Sequence, residues 1–149
     1  MSVTFKEASC HDVPTVLNMM ASFNAIDNYP FDEMLTRQNL DHFVATPDLG
    51  RLWMIYSDEL IAGYCVVAFG FSFEYKGRDA FVDEIYLREE FRNKGIGKQV
   101  IKFLEVQAKQ LGVRTLHLEV ERHNAKANKI YLDQGFSNNN RMLLTKRLS

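Results

Sequence analysis

Two periodicities divide this chain. Val3 to Ala8 reads as a first strand, and then Val13, Val16, Leu17, Met20 and Phe23 fall at helical spacing behind Asp12, a residue suited to capping a helix. A break at Asn24 to Pro30 follows. Pro30 and Asp32 open a second helix that ends before Pro47. Arg51 to Ser57 and Leu60 to Tyr75 are hydrophobic runs separated by Asp58-Glu59, the pattern of an antiparallel hairpin, with Gly70 placing a bulge or bend in its second arm. A turn around Lys76 to Arg78 leads into residues 80–87, rich in the β-branched and aromatic types that suit a pleated surface.

After that strand the period changes. Ile96, Val100, Ile101, Leu104, Ala108 and Leu111 recur every three or four residues and predict an amphipathic helix. Leu116, Leu118 and Val120 then alternate with His117, Glu119 and Glu121, a strand with one apolar and one polar face. A helical crossover joins it to the strand of Asp83 and Glu84, so those two strands should be parallel neighbours. Asn124 opens another helix, to about Gln134, and Arg141 to Arg147 gives a last strand. The expected architecture is α/β (α+β), in a single domain spanning residues 1–149.

Candidate chemistry enters at the junction of strand and long helix. There the chain reads Arg92, Asn93, Lys94, Gly95, Ile96, Gly97, Lys98. Amides at the start of a helix have no intrahelical acceptor, and the helix dipole adds partial positive charge, so the junction suits a phosphate. The glycines let the backbone approach a bulky anion, and Arg92, Lys94 and Lys98 surround it with charge. A Walker loop is excluded: Gln99 follows Gly97-Lys98 where Ser or Thr is needed, and Arg92 stands where the first glycine belongs. A dinucleotide fingerprint is excluded because Val100 takes the place of its third glycine.

The spacing Arg92-x-x-Gly95-x-Gly97 resembles the pyrophosphate loop of the GNAT superfamily of acyl-CoA-dependent N-acetyltransferases. Asn124-x-x-Ala127-x-x-x-Tyr131 followed by Gly135-Phe136 resembles the next motif of the same superfamily, in the expected order and at the expected distance. The resemblance is close over residues 60–137 and holds only in outline before them. It implies a mixed central sheet of six to seven strands flanked by about four helices, with a splay between the fourth and fifth strands. It also implies acetyl-CoA as cosubstrate. The diphosphate would lie on the amides of residues 92–97, with Lys98 and Asn124 adjacent. The pantetheine arm would pair with backbone near Ile85, Tyr86 and Leu87 by strand addition. The loop holding Asp27, Tyr29 and Phe31 would border the acceptor site.

Acetyl transfer to an amine requires a neutral nucleophile, yet an alkyl ammonium has a pKa of about 10.4, so a general base is needed. Three carboxylates are candidates. Asp83 and Glu84 occupy the place of a Glu-Asp pair in polyamine acetyltransferases of the family, in reversed order. Without a bulge, adjacent strand residues point to opposite faces, so only one of the two would reach the cleft. Glu119, in Leu118-Glu119-Val120, resembles the catalytic glutamate of ribosomal-protein N-terminal acetyltransferases. Tyr131 matches the tyrosine that protonates the departing thiolate in many relatives. Together the carboxylates predict an acidic acceptor cleft that Glu74, Tyr75 and Arg78 would extend.

Composition narrows the partners. A net charge of -1 gives no electrostatic case for nucleic acid or anionic membrane, so the expected partners are small molecules or particular peptides, and the resemblance makes a small-molecule amine the leading one. The resemblance also allows a homodimer. The four histidines and two cysteines show no metal-ligand spacing, and Cys10 and Cys65 are read as buried thiols in a reducing compartment. The N-terminal residues lack the pattern of a signal peptide, and no apolar run approaches the about 20 residues that cross a bilayer, so a cytoplasmic location is expected. Two other readings stay open: transfer to a protein N-terminus or lysine, which an extended groove would favour, and a non-catalytic acyl-CoA-binding module, which only turnover can exclude.

Overall fold

The computed structural model describes residues 2–149. Two compact units divide at Glu119 and Val120. The first holds a five-stranded sheet whose order follows the chain: β1 (Val3–Glu7), β2 (Gly50–Ser57), β3 (Leu60–Ser72), β4 (Gly77–Leu87) and β5 (Thr115–His117). The first three pairings are antiparallel, and β4 and β5 are parallel, as a crossover helix requires. The crossover is α3 (Ile96–Gln110), while α1 (Val13–Ile26) and α2 (Glu33–Ala45) connect β1 to β2. The second unit contains α4 (Ala125–Asp133).

Period-two alternation sorts the sheet's side chains into two cores. Leu52, Met54, Tyr64, Val66 and Tyr86 pack with Val13, Val16, Leu17, Met19 and Leu40 of α1 and α2. Trp53, Ile55, Cys65, Val67 and Val82 pack on the other face with Ile96, Val100 and Leu104 of α3. The central strands are therefore covered on both sides, which is why β2 and β3 read as nearly continuous apolar runs.

Several local expectations are corrected. Asp12 does not cap α1 by its side chain. Its carboxylate accepts from the Ser9 amide at 2.9 Å, closing a capping box around a 3-10 turn, Cys10–Asp12, that precedes the helix. Asp32 does cap α2, accepting from the Leu35 amide at 3.0 Å. The Asp58-Glu59 turn forms with both residues left-handed, φ 47 and 71, a backbone twist that matches a two-residue hairpin. Cys10 is exposed, so only Cys65 is the expected buried thiol. Burial pushes that thiol up to about 12.

Gly70 does not carry a bulge. It pairs in register with Asp79, and a Cβ there would lie 2.7 Å from Asp79 Oδ1, so the glycine makes room for that carboxylate. The register slips instead where Val66 pairs with Glu84 and Val67 with Val82, leaving Asp83 as an extra residue in β4.

The sheet has five strands rather than six to seven. Residues 118–120 and Arg141–Arg147 are not strands among the described residues. Both segments have the composition of a strand, but a strand exists only where a neighbouring backbone completes its ladder, and β5 leaves β4 after three residue pairs.

Gly63 lies against the end of β4, where a Cβ would fall 1.8 Å from the Tyr86 carbonyl oxygen and 3.0 Å from Leu87 Cα. Backbone cannot yield as a side chain can. Gly63→Ala is expected to cost at least about 2 kcal/mol through forced separation of β3 and β4, read as a lower urea midpoint.

Candidate active site

The extra residue in β4 decides what the site contains. Before it, Ala80 and Val82 turn toward α3; after it, Ile85 and Leu87 do so, and Glu84 and Tyr86 turn toward α1 and α2. Without the bulge, Glu84 would be driven into the apolar core under α3. With it, Glu84 lies beside Val66, and the hydroxyl of fully buried Tyr64 donates to Glu84 Oε1 at 2.5 Å. Burial raises the Glu84 pKa above the ordinary 4.5, the Tyr64 bond partly offsets this, and nearby Asp83 adds to the rise. The Tyr64 phenol is raised far above its usual range, chiefly by burial and then by the Glu84 charge, and stays a donor. Asp83 is exposed at its surface, yet the protein mass around its carboxyl also raises its pKa. Asp83 and Glu84 are thus close enough to couple, and the bulge removes the expectation that a plain strand would part them.

Beside this acidic centre the sheet opens. The β4–β5 ladder runs Asp79–Thr115, Ala80–Leu116 and Phe81–His117, then stops, while β4 continues to Leu87. Among the described residues no strand pairs with that side of β4 beyond Phe81. Ile85, Tyr86 and Leu87 lie on this stretch, whose backbone groups can accept an extended ligand. The Leu87 carbonyl is already engaged, accepting from Arg92 Nε at 2.8 Å.

That bond changes the role of Arg92. Its guanidinium also lies 5.6 Å from the Tyr86 ring centre, so it braces the end of β4. A 3-10 turn (Glu89–Phe91) follows β4, and left-handed Asn93 and Gly95, φ 61 and 78, turn the chain into α3. Gly95 is the N-cap and supplies no side-chain acceptor to the first amides of the helix. A Cβ at Gly97 would meet nothing within 4 Å, and its φ is not left-handed. Neither packing nor backbone conformation demands glycine there, and the position is open to close approach from outside. Lys94 and Lys98 are exposed; Ile96 points into the core, so only its amide is available. The residues present thus fit a diphosphate.

Other expected site residues are placed less centrally. Glu119 is exposed beyond the end of β5. Asp27 and Tyr29 lie in the exposed loop between α1 and α2, and Phe31 packs against the core beneath. Glu74 is exposed in the β3–β4 turn. Arg78 turns away: it donates to the Leu111 carbonyl at 3.0 Å and covers the Phe69 ring at 4.3 Å, toward α3. In the second unit Asn124 caps α4, accepting from the Ala127 amide at 3.1 Å. Tyr131 on that helix is half-buried, with its ring 6.0 Å from Phe136, and burial raises its phenol pKa.

Sequence reasoning missed Tyr64, which sits unmarked in an apolar strand. The available signal was that a buried tyrosine needs a partner for its hydroxyl. It also passed over His117 and Asp79, whose side chains meet at 3.0 Å. No group of three or more His, Cys, Asp or Glu able to hold a metal occurs among the described residues, and no described helix is long and apolar enough to cross a membrane.

Comparison with known proteins bears on this geometry. Thialysine N-epsilon-acetyltransferase of Bos taurus is 28% identical over 137 residues, covering 85% of this chain and 77% of that protein. The uncharacterized N-acetyltransferase YycN of Bacillus subtilis (strain 168) is 35% identical over 75 residues, 50% of this chain and 47% of that one. That match spans about half the relative's length. Among solved structures, an integron cassette protein from the mobile metagenome of Cole Harbour Salt Marsh superposes with a TM-score of 0.87 at 30% identity, covering 97% of this chain and 90% of that one. The sequence model of the Acetyltransferase (GNAT) family matches residues 17–136, and with the diverging strands and the uncapped glycine turn this establishes that the chain belongs to the GNAT acetyltransferases.

Proposed function

We propose that this protein is an N-acetyltransferase that moves an acetyl group from acetyl-CoA to a primary amine of a small cationic acceptor, by direct attack in a ternary complex. The observation that carries the reading is Glu84, turned by the bulge onto the face of α1 and α2 and held there by Tyr64. A thialysine acetyltransferase among the relatives supports a small amine as the acceptor class.

When bound, acetyl-CoA supplies an activated thioester carbonyl. The amides at the start of α3 hold the diphosphate, and the unpaired side of β4 aligns the pantetheine arm. Asp83 and Glu84 attract the acceptor as its ammonium ion. Glu84 then removes a proton, because a carboxylate with a raised pKa is a stronger base near neutrality than an ordinary one. The free amine attacks the carbonyl carbon, the carbon–sulfur bond breaks, Tyr131 in the role its motif position gives it protonates the departing sulfur, and the second proton shed by the nitrogen passes through solvent to restore the phenol. A phenol with a raised pKa remains protonated until that moment.

Glu119 is the weaker base, since it lies exposed outside any strand and lacks the hydrogen bond that orients Glu84. Thiol release measured across a panel of small amines and short peptides tests the reading. Turnover is expected with small primary amines, and Glu84→Gln should lower kcat by roughly a hundredfold or more while binding of acetyl-CoA is kept. Thiol release equal in the variant and the wild type would remove Glu84 as the base.

Calorimetric titration should show Gly97→Val weakening acetyl-CoA more than Lys94→Ala does, since the backbone approach is blocked in one and an exposed charge is lost in the other. Equal losses would reject the amide cradle.

A pH dependence of stability follows from the same glutamate. Its folded pKa lies above the unfolded value, so the folded state holds the proton more tightly. The stabilising contribution is present below about pH 4.5 and is lost as pH rises through the folded value. Glu84→Gln, which keeps an acceptor for Tyr64, should therefore melt higher than the wild type at pH 8 and equal to it at pH 4, by scanning calorimetry.

A further inference from the structure

At the point where β4 and β5 part, four side chains outside the proposed proton transfer come together. His117 is the last paired residue of β5, opposite Phe81. Its Nε2 lies 3.0 Å from Asp79 Oδ2, with the two side chains 19% and 13% exposed. The Phe81 ring lies 5.0 Å from the imidazole, and the Tyr75 ring packs edge-on at 4.8 Å. Phe81 itself is 41% exposed, so the cluster opens to solvent at its rim. Three features make this an oriented group rather than a surface pair. Gly70 leaves the space that the Asp79 carboxylate fills. Two aromatic rings restrain the imidazole plane. The ladder ends here, so among the described residues no strand covers this side of β4 beyond the pair.

The chemistry follows from the hydrogen bond. A carboxylate accepts, so neutral His117 carries its proton on Nε2, which leaves Nδ1 as the ring's acceptor. The strand register places His117, Asp79 and Phe81 on the same side of the sheet as Glu84, the side of α1 and α2. We propose that His117, with its tautomer set by Asp79, is a specificity-determining residue: its Nδ1 accepts a hydrogen bond from a second N–H group of the acceptor, between the Phe81 and Tyr75 rings. The preferred acceptor class is thus an amine bearing a further cationic nitrogen along an aliphatic chain. The inference rests on the acetyltransferase reading above and adds what the far end of the acceptor meets.

The test compares 1,5-diaminopentane with 1-aminopentane by thiol release. Wild type should favour the diamine by about tenfold to a hundredfold, carried by KM, the range expected for one hydrogen bond to a charged group. Asp79→Leu keeps most of the volume and removes the acceptor that holds the ring proton on Nε2. It should erase the preference with little change in kcat for 1-aminopentane. His117→Gln, which retains a carbonyl acceptor, should keep part of the preference. Nitrogen-15 NMR of the wild-type imidazole should show the Nε2–H tautomer and a shift of Nδ1 on adding the diamine. Equal KM values for the two amines in wild type, an undiminished preference in Asp79→Leu, or an Nδ1–H tautomer would each overturn the role of His117 while leaving the transferase reading intact. Absence of thiol release with every amine of the panel would reject the transferase reading and this role with it.

Discussion

One unmatched residue in β4 governs the whole site. A strand has a side-chain period of two, so Asp83, standing opposite no residue of β3, inverts the facing of everything after it. The consequence is a change of partner for Glu84, from the apolar core under α3 to the hydroxyl of Tyr64. The following residues keep both cores intact, because Ile85 and Leu87 are apolar where α3 needs them and Tyr86 is aromatic where α1 needs it. Were Asp83 held in regular alternation instead of bulged out, a carboxylate would lie under α3 and an isoleucine beside Tyr64, wrong on both sides at once.

Burial of Glu84 has a cost that shapes the rest of the design. A half-buried carboxylate is destabilised as a charge, and one hydrogen bond from Tyr64 recovers only part of that loss. The same desolvation raises the proton affinity of the group, as the proposed role of a base requires. Stability is supplied elsewhere, by a sheet covered on both faces and by fully buried Met54, Ile55, Tyr64, Ile101 and Leu104. The acidic centre and the phosphate cradle thus draw on different resources. One depends on desolvation inside the sheet; the other depends on unpaired amides at a helix start exposed to solvent.

The fold was legible in the sequence wherever one period dominated. The α3 stripe, the Asp58-Glu59 hairpin and the parallel crossover to β5 were readable because each depends on local spacing or on chain connectivity. Gly95 was legible for the same reason, as a short-range conformational demand, whereas Gly97 was legible only through its spacing in the motif. The bulge was not, because an inserted residue has no local signature: Val82-Asp83-Glu84-Ile85 reads alike in either register, and only Val66 and Val67 across the ladder settle it. Gly70 drew attention for the wrong reason, since its lack of a side chain serves Asp79 on the next strand. The C-terminal run Arg141 to Arg147 has strand composition without a strand partner, so propensity alone misled.

The His117–Asp79 pair shows why such contacts escape a linear reading. The two residues are 38 apart in sequence, joined by a helical crossover that places them on adjacent strands. Neither belongs to a motif, and alternation alone marks His117 only as one polar residue among several on β5. What gives it meaning is where the ladder ends. A histidine held by a carboxylate in the middle of a sheet would be a structural tie, with both ring nitrogens hidden. At the last paired position of β5, beside a strand that continues to Leu87, the same hydrogen bond sets which ring nitrogen is left to accept. Divergence of two strands therefore has two consequences. It leaves backbone groups of β4 without a strand partner among the described residues, and in the proposed site it lets side chains at the fork serve in recognition as well as packing.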